Sequence, residues 1–347
     1  MSVLLLAGGH VLAGSMVSAF DIGALGRNFW ALTVDGLTYG SIYALVAVGY
    51  TLVYGVLRLI NFAHSEIFMV GMFGQYATLM LLGFSPNGDA YQQGTLRTIL
   101  YLLLAMVGGM AVAGGAAVGL ERVAYRPLRR RGAPALVFLI TAIGASFVLQ
   151  EFVHFVLPKL TGGNLGGVNA QQPIRLVQAT AQFDFGNATV NNVELVIVAS
   201  ALALAFATDR FINATKFGRG IRAVAQDPVT ATLMGVSRER VIMLTFLVGG
   251  VLAGAAGLLY TLRVPSGIVY SGGFILGIKA FAAAVLGGIG NLRGALLGGL
   301  LLGVMELYGQ ALFGTEWRDV VAFVLLILVL MFRPTGILGE SLGRARA

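Results

Sequence analysis

Apolar residues fall in long runs along this chain, and the charged residues gather in short intervals between them. Runs without Asp, Glu, Lys or Arg include 36–57, 67–88, 98–120, 132–150 and 241–262. A helix crosses a bilayer with about 20 apolar residues at 1.5 Å rise each, and these runs, bounded by the polar loops between them, give membrane spans near 35–57, 67–83, 98–120, 135–157, 193–208 and 242–262. Three shorter apolar pieces follow near 274–289, 294–312 and 320–332. Lys279 interrupts the first of them, Gly287-Gly288-Ile289-Gly290-Asn291 ends it, and Arg293 precedes the second. Broken backbone at membrane depth is tolerated only where protein or a water-filled cavity covers it. The segment 274–312 therefore reads as a re-entrant hairpin lining an internal path. The alternative is that short helices thin the bilayer around them. The fold class is an all-α polytopic membrane protein with about 8–9 transmembrane or re-entrant helices.

The polar intervals divide the chain further. Residues 31–339 form one transmembrane domain, preceded by an N-terminal extension, 1–30, and followed by a tail, 340–347. Residues 1–20 are apolar but lack a positively charged start, which weakens a signal-peptide reading; an extra span, an interfacial segment and a loose extension stay open. Ser85-Pro86-Asn87-Gly88-Asp89 is a turn signal. The 35 residues of 158–192, with Gly162-Gly163, Gly166-Gly167 and Pro173, predict an irregular loop. The interval 209–241 is different. It is polar, basic and made of helix-forming residues, whereas connections between packed elements are usually short. Its predicted use is to dock something, the alternative being a solvated, positively charged connector.

Composition agrees: hydrophobic residues are 57% and charged residues 11% of the 347, against roughly a quarter charged in soluble domains. The net charge of +8 would by itself suggest nucleic acid, but where the charge sits argues otherwise. Five arginines lie in 121–134, six Lys or Arg in 209–240 and three Arg after 332, while 158–192 holds only Lys159 and Arg175. Positive charge concentrates on the cytoplasmic side of membrane proteins. Loops 121–134 and 209–240 and the C-terminus are thus expected inside, and 84–97, 158–192 and 263–273 outside. With no cysteine, disulfides, thiolate metal sites and thiol nucleophiles are excluded. Glycines four apart recur in the spans as Gly115/Gly119, Gly250/Gly254, Gly294/Gly298 and Gly299/Gly303, a spacing that lets helices approach closely.

Enzymatic motifs are missing. There are three histidines and no HExxH helix. Ser146 and His154, about 12 Å apart along one helix, cannot form a catalytic pair, which leaves Ser146 a packing residue. The nearest approach to a phosphate-binding loop, Gly272 to Lys279, has a displaced lysine and no Ser or Thr after it, so this chain binds no ATP by that motif. What remains are polar groups near membrane depth, which are costly there and tend to face cavities or partners. Arg58, Asn61, His64 and Glu66 cluster in RLINFAHSE between the first two spans; Gln75, Gln150, Glu151, Lys279, Glu306 and Asp319 lie in or beside spans. RLINFAHSE has a plainer reading as a turn capped by polar residues, and Lys279 one as a side chain snorkelling to the interface. Tyr39, Tyr43, Tyr50 and Tyr54 read as interface and packing residues, and Trp317 as an interfacial anchor.

Within 209–241, Gly218-Arg219, Arg222-Ala223, Ala225, Asp227, Ala231 and Gly235 form a series. Pro228 suits the first position of a helical turn, with Asp227 as its N-cap. Ala231-Thr232-Leu233-Met234-Gly235 resembles the A-x-x-x-G core of the coupling loop in ABC-importer permeases. The segments 36–71, 121–131, 138–150, 277–303 and 319–339 resemble, in order, the hallmark stretches of the branched-chain amino acid permeases of the LivH kind. That resemblance covers about 32–339; the N-terminal extension and 158–192 depart from it.

The resemblance implies an ABC importer permease architecture in the bacterial inner membrane with a cytoplasmic C-terminus. It implies a second, homologous (LivM-like) permease, two ABC ATPase subunits that use ATP and Mg, an external solute-binding protein, and a lipid rather than nucleic-acid environment. No cofactor is expected on this chain and no substrate chemistry. Leucine, isoleucine and valine would be the cargo, with urea, short amides or other amino acids as the alternative. Arg219, Arg222, Ala223, Asp227, Ala231 and Gly235 would couple to the ATPase, and Asn61, His64, Glu66 and Lys279 would line or gate the path. A stand-alone channel or secondary carrier is the rival from another class; it requires charges paired at mid-bilayer, whereas the polar groups are expected near span ends.

Overall fold

The computed structural model describes residues 22–84, 94–163, 165–166, 176–264 and 268–339. The apolar run 1–20, the turn signal 85–89, residues 167–175 and the tail 340–347 lie outside the described residues. After a short six-residue helix, Ile22–Arg27, helix α1 (Phe29–Leu57) runs through the middle of the bundle. It is apolar on all sides, as a helix surrounded by other helices must be, and nearly every residue from Gly36 to Val53 is buried. Helix α2 (His64–Leu81) follows, then α3 (Thr95–Leu120), α4 (Ala135–Glu151), strands β1 (Ala181–Phe185) and β2 (Ala188–Asn191), and α5 (Asn192–Ala214). Two short helices, α6 (Lys216–Gln226) and α7 (Pro228–Leu233), lead to α8 (Arg238–Arg263), α9 (Gly272–Gly287), α10 (Leu292–Phe313) and α11 (Arg318–Phe332). Among the described residues six helices are long and apolar enough to cross a membrane; with α2, α9 and α11 the apolar helices number nine.

Backbone contact between helices holds the centre. On α10, Gly299 faces Ala44 and Gly303 faces Gly36 and Gly40 of α1. On α8, Gly250 and Gly254 face Ala113, Gly114 and Gly109 of α3. Gly294 and Gly298 close α10 onto Gly287 and Ala283 of α9. Three of the four glycine pairs are therefore seams; Gly115 and Gly119 face open space. The outer helices α3, α4 and α5 instead present large apolar side chains outward, among them Leu103, Ile140 and Phe206, as a surface bathed in acyl chains requires.

Four expectations need correction. Lys279 does not interrupt α9, because carboxylates on α10 and α11 receive its charge inside the bundle. The segment 274–312 is a hairpin, but α10 is an unbroken helix of 22 residues; only α9, at 16 residues, is short. The interval 121–134 is helical as far as Arg130, through a π-turn, Glu121–Tyr125, and a last turn, Arg126–Arg130. Finally, 158–192 is not irregular throughout. Phe183 pairs with Val190 and Phe185 with Ala188 in an antiparallel hairpin, turned at Gly186-Asn187 with Gly186 at φ +64°. Phe185 packs edge-on against Trp30, centroids 4.7 Å apart, which pins the hairpin to the start of α1.

Candidate functional site

The interval 209–241 folds as two capped helices. The Thr215 hydroxyl accepts the Gly218 N–H at 3.0 Å and starts α6. Gly218 lies against the backbone of Ile212, and Ile221 and Val224 turn inward. Arg222 donates to the Ile212 carbonyl and to Asn213 Oδ1, so it braces the corner between α5 and α6. Arg219 is exposed and Ala223 half-buried. Asp227 caps α7 as its sequence predicts: Oδ1 accepts the Val229 and Thr230 N–H groups at 2.9 and 3.2 Å, and Oδ2 accepts the Thr230 hydroxyl. These bonds favour the charged form and hold the Asp227 carboxyl below its ordinary range. Ala231 is buried, and Gly235, at φ +85°, adopts the left-handed turn that ends the helix. The tip of α7 exposes Val229, Leu233 and Met234, at 68%, 81% and 80%. The exposure of Leu233 and Met234 was not legible in the sequence, because an apolar residue in a helical run ordinarily signals the buried face.

Arg58 connects this loop to the core. It sits at the end of α1 in the left-handed region, φ 53° and ψ 32°, the only described non-glycine residue there. Its guanidinium donates to the Ala225 carbonyl of α6 at 3.1 Å.

The rest of RLINFAHSE turns inward, so it is not a solvated polar turn. Asn61, His64 and Glu66 are 3%, 1% and 1% exposed. Tyr125 donates to Asn61 Oδ1 at 2.8 Å, the Tyr50 ring stands edge-on to His64, and Ser146 donates to Glu66 Oε1 at 3.3 Å. Ser146 is thus more than a packing residue. Asn61 Nδ2, His64 Nε2 and Glu66 Oε2 have no partner among the described residues. Helix α9 lies over this cluster through Gly273 and Gly277, which meet Ser65 and Glu66.

Lys279 belongs elsewhere. Two residues past Gly277 is about 200° around a helix, so its side chain leaves the opposite face. It reaches Glu306 Oε1 at 2.7 Å and Asp319 at 2.5 Å, while Arg318 Nε bonds the same Glu306 oxygen. The Tyr43 hydroxyl donates to Glu306 at 3.4 Å. Arg318 and Arg263 lie over the Tyr39 ring at 4.7 and 5.1 Å, and Arg263 pairs with Asp35, with Glu194 3.9 Å away. Lys279 is paired and buried, not snorkelling, and Glu306, with a fully buried side chain, lies seven residues inside the end of α10. The expectation that ionisable groups keep to span ends fails for these two. A third network, also missed, joins Arg129 to Glu121 at 2.7 Å and to Glu239 at 2.9 Å, with Arg126 on Glu239 at 2.6 Å. It ties the helical extension of α3 to the first turn of α8. The described residues hold no His, Cys, Asp and Glu group fit for a metal ion.

The geometry defines a helical multi-pass membrane protein with a structured basic loop between two of its spans. The chain belongs to the family of permease components of branched-chain amino acid transport systems, which matches residues 32–330. It is 41% identical over 320 residues to the high-affinity branched-chain amino acid transport system permease protein BraD of Pseudomonas aeruginosa, covering 88% of this chain and 94% of that one. It is 39% identical over 319 residues to LivH of Escherichia coli K12, with the same coverage. A weaker likeness, 31% over 154 residues, 42% of this chain and 41% of the other, is to the fructose import permease protein FrcC of Rhizobium meliloti. No solved structure matches.

Proposed function

We propose that this chain is one of two membrane subunits of an ATP-driven importer for branched-chain amino acids, working by alternating access in the inner membrane. Two ATPase subunits use ATP and Mg on the cytoplasmic side, a homologous permease completes the path, and an external binding protein delivers cargo. The loop 209–241 and the C-terminus face the cytoplasm, as the arginine distribution favours. The observation that carries the coupling role is α7: a helix capped at Asp227 and ended at Gly235, presenting three apolar side chains beside exposed arginines. A short rigid helix of this kind fits a groove on a partner and transmits its movement through α6 and Arg58 to α1. ATP binding shifts the subunit between outward and inward states only as far as the partner's affinity for α7 differs between them.

The cysteine-free chain makes the test direct. A single cysteine at Thr232, crosslinked in native membranes, is expected to trap an ABC-type ATPase identified by mass spectrometry. A reproducible adduct without one, despite labelling from the cytoplasmic side, overturns the reading. Two observations favour other readings. The half-length likeness to a fructose permease leaves room for the same machine with another cargo, such as urea or another amino acid, which competition against labelled leucine uptake decides. The buried Lys279–Glu306 pair is what a stand-alone carrier needs; uptake by the purified chain alone in liposomes would establish that rival, and we expect none.

A further inference from the structure

Beside the docking loop, two cavities join into one groove. The first, about 230 Å³, runs down the flank between α5 and α10 and is lined by Val48, Ala205, Phe206 and Leu296. The second, about 380 Å³, lies where α1, α5 and α10 meet α6, and its wall includes Thr51, Asn213, Arg222 and Asn291. Asp209, Leu292 and Arg293 line both. The groove therefore changes chemistry along its length. Leu296 is four residues, about 6 Å, deeper along α10 than Leu292, and that end is apolar and open toward the exposed Phe206. The end beside α6 is polar and positive. Arg293 has a side chain 74% exposed and bonds Asp209 at 3.2 Å. Arg222 is held by a carbonyl and an amide, and Arg58 by the carbonyl of Ala225, which lines the same wall. Neither Arg222 nor Arg58 meets a carboxylate among the described residues. Arg222 and Arg293 line the groove and Arg58, not a lining residue itself, bonds its wall at Ala225; these three arginines against one aspartate leave two uncompensated positive charges where the spans end.

We propose that this groove seats one anionic phospholipid of the leaflet on the docking-loop side. Its phosphate lies among Arg58, Arg222 and Arg293, and the start of one acyl chain runs along Ala205, Phe206 and Leu296. Basic pockets between spans recognise acidic headgroups in this way, and the membrane-facing flank supplies the chain's surroundings. The inference needs neither the cargo nor the ATPase. Because Arg222 and Arg58 brace α6, a bound phosphate joins the residues that hold the docking loop to the core.

The experiment is native mass spectrometry of the full-length chain, purified with whatever subunits it retains, in micelles containing equal phosphatidylglycerol and phosphatidylcholine of identical chains. Two uncompensated charges correspond to a preference for phosphatidylglycerol on the order of 30-fold. Arg222→Gln with Arg293→Gln should reduce it to roughly neutral. Asp209→Asn, which removes the opposing charge and frees Arg293, should raise it, and that gain cannot come from misfolding. Equal retention of the two lipids, an unchanged preference in the arginine variant, or no gain in Asp209→Asn overturns the proposal. So does displacement of the lipid by inorganic phosphate, which would make the site one for soluble anions. A groove empty of lipid and covered by a second subunit overturns it as well.

Discussion

Asp227 caps α7 through three hydrogen bonds, all of which its charged form accepts. Folding therefore favours the carboxylate and lowers its pKa. The stabilising contribution is complete above the ordinary aspartate value of about 4 and is lost only as pH falls through the lowered one. Crosslinking from a cysteine at Thr232 should accordingly stay level on mild acidification. Asp227→Asn, which still caps, should retain uptake and show no acid loss, while Asp227→Ala should lose most uptake at any pH. A second contrast concerns Glu306. Its one oxygen takes both Lys279 and Arg318 with no exposure, so Glu306→Gln leaves Arg318 without a carboxylate and Lys279 with only the half-exposed Asp319, and should destabilise by about 3–5 kcal/mol. Lys279→Met leaves Glu306 with Arg318 and frees Asp319, half exposed, so its loss should be clearly smaller. Thermal unfolding in detergent orders the two; equal losses would contradict the shared-oxygen geometry.

At the scale of elements, the glycine spacings separate by what they face. Gly303→Ala places a methyl against the backbone of Gly40 and should destabilise by about 1–3 kcal/mol as α10 is forced from α1. Gly115→Ala, facing open space, should stabilise by about 0.5–1 kcal/mol through chain entropy. Nothing in the spacing itself distinguishes the two, which is why all four pairs read alike in the sequence. Spans were legible wherever apolar runs reached bilayer length, and the cap at Asp227 because Asp-Pro is a local signal. Lys279 was misread for the opposite reason: its partners lie 27 and 40 residues further along the chain. The π-turn at Glu121–Tyr125 carries no sequence mark at all. It nevertheless sets the direction in which Tyr125 reaches Asn61 and Arg129 reaches Glu239. The hairpin at 181–191 did carry a signal, Gly-Asn between alternating residues, that the surrounding glycines obscured.

For the whole molecule, the consequential link is the bond from Arg58 to the Ala225 carbonyl, which connects a loop on the surface to the most buried helix. Arg58→Ala should leave the chain in the membrane and the ATPase crosslinked at Thr232, while uptake per ATP hydrolysed falls severalfold in proteoliposomes of the assembled transporter. Full uptake in that variant would show that movement reaches α1 by another route.

The glycine seams bear on where such movement can occur. Side chains can change rotamer as two helices slide past one another; a backbone lying against a backbone has nothing to rearrange. Along Gly36–Ala44 against Gly299–Gly303, and along Gly109–Gly114 against Gly250–Gly254, sliding is closed. The helices on either side of each seam are obliged to travel together. Shear is left to contacts made by side chains, and hinging to the short joints at 58–63, 214–216 and 288–291. Two of those joints border the groove lined by Arg222 and Arg293, and the third begins at Arg58.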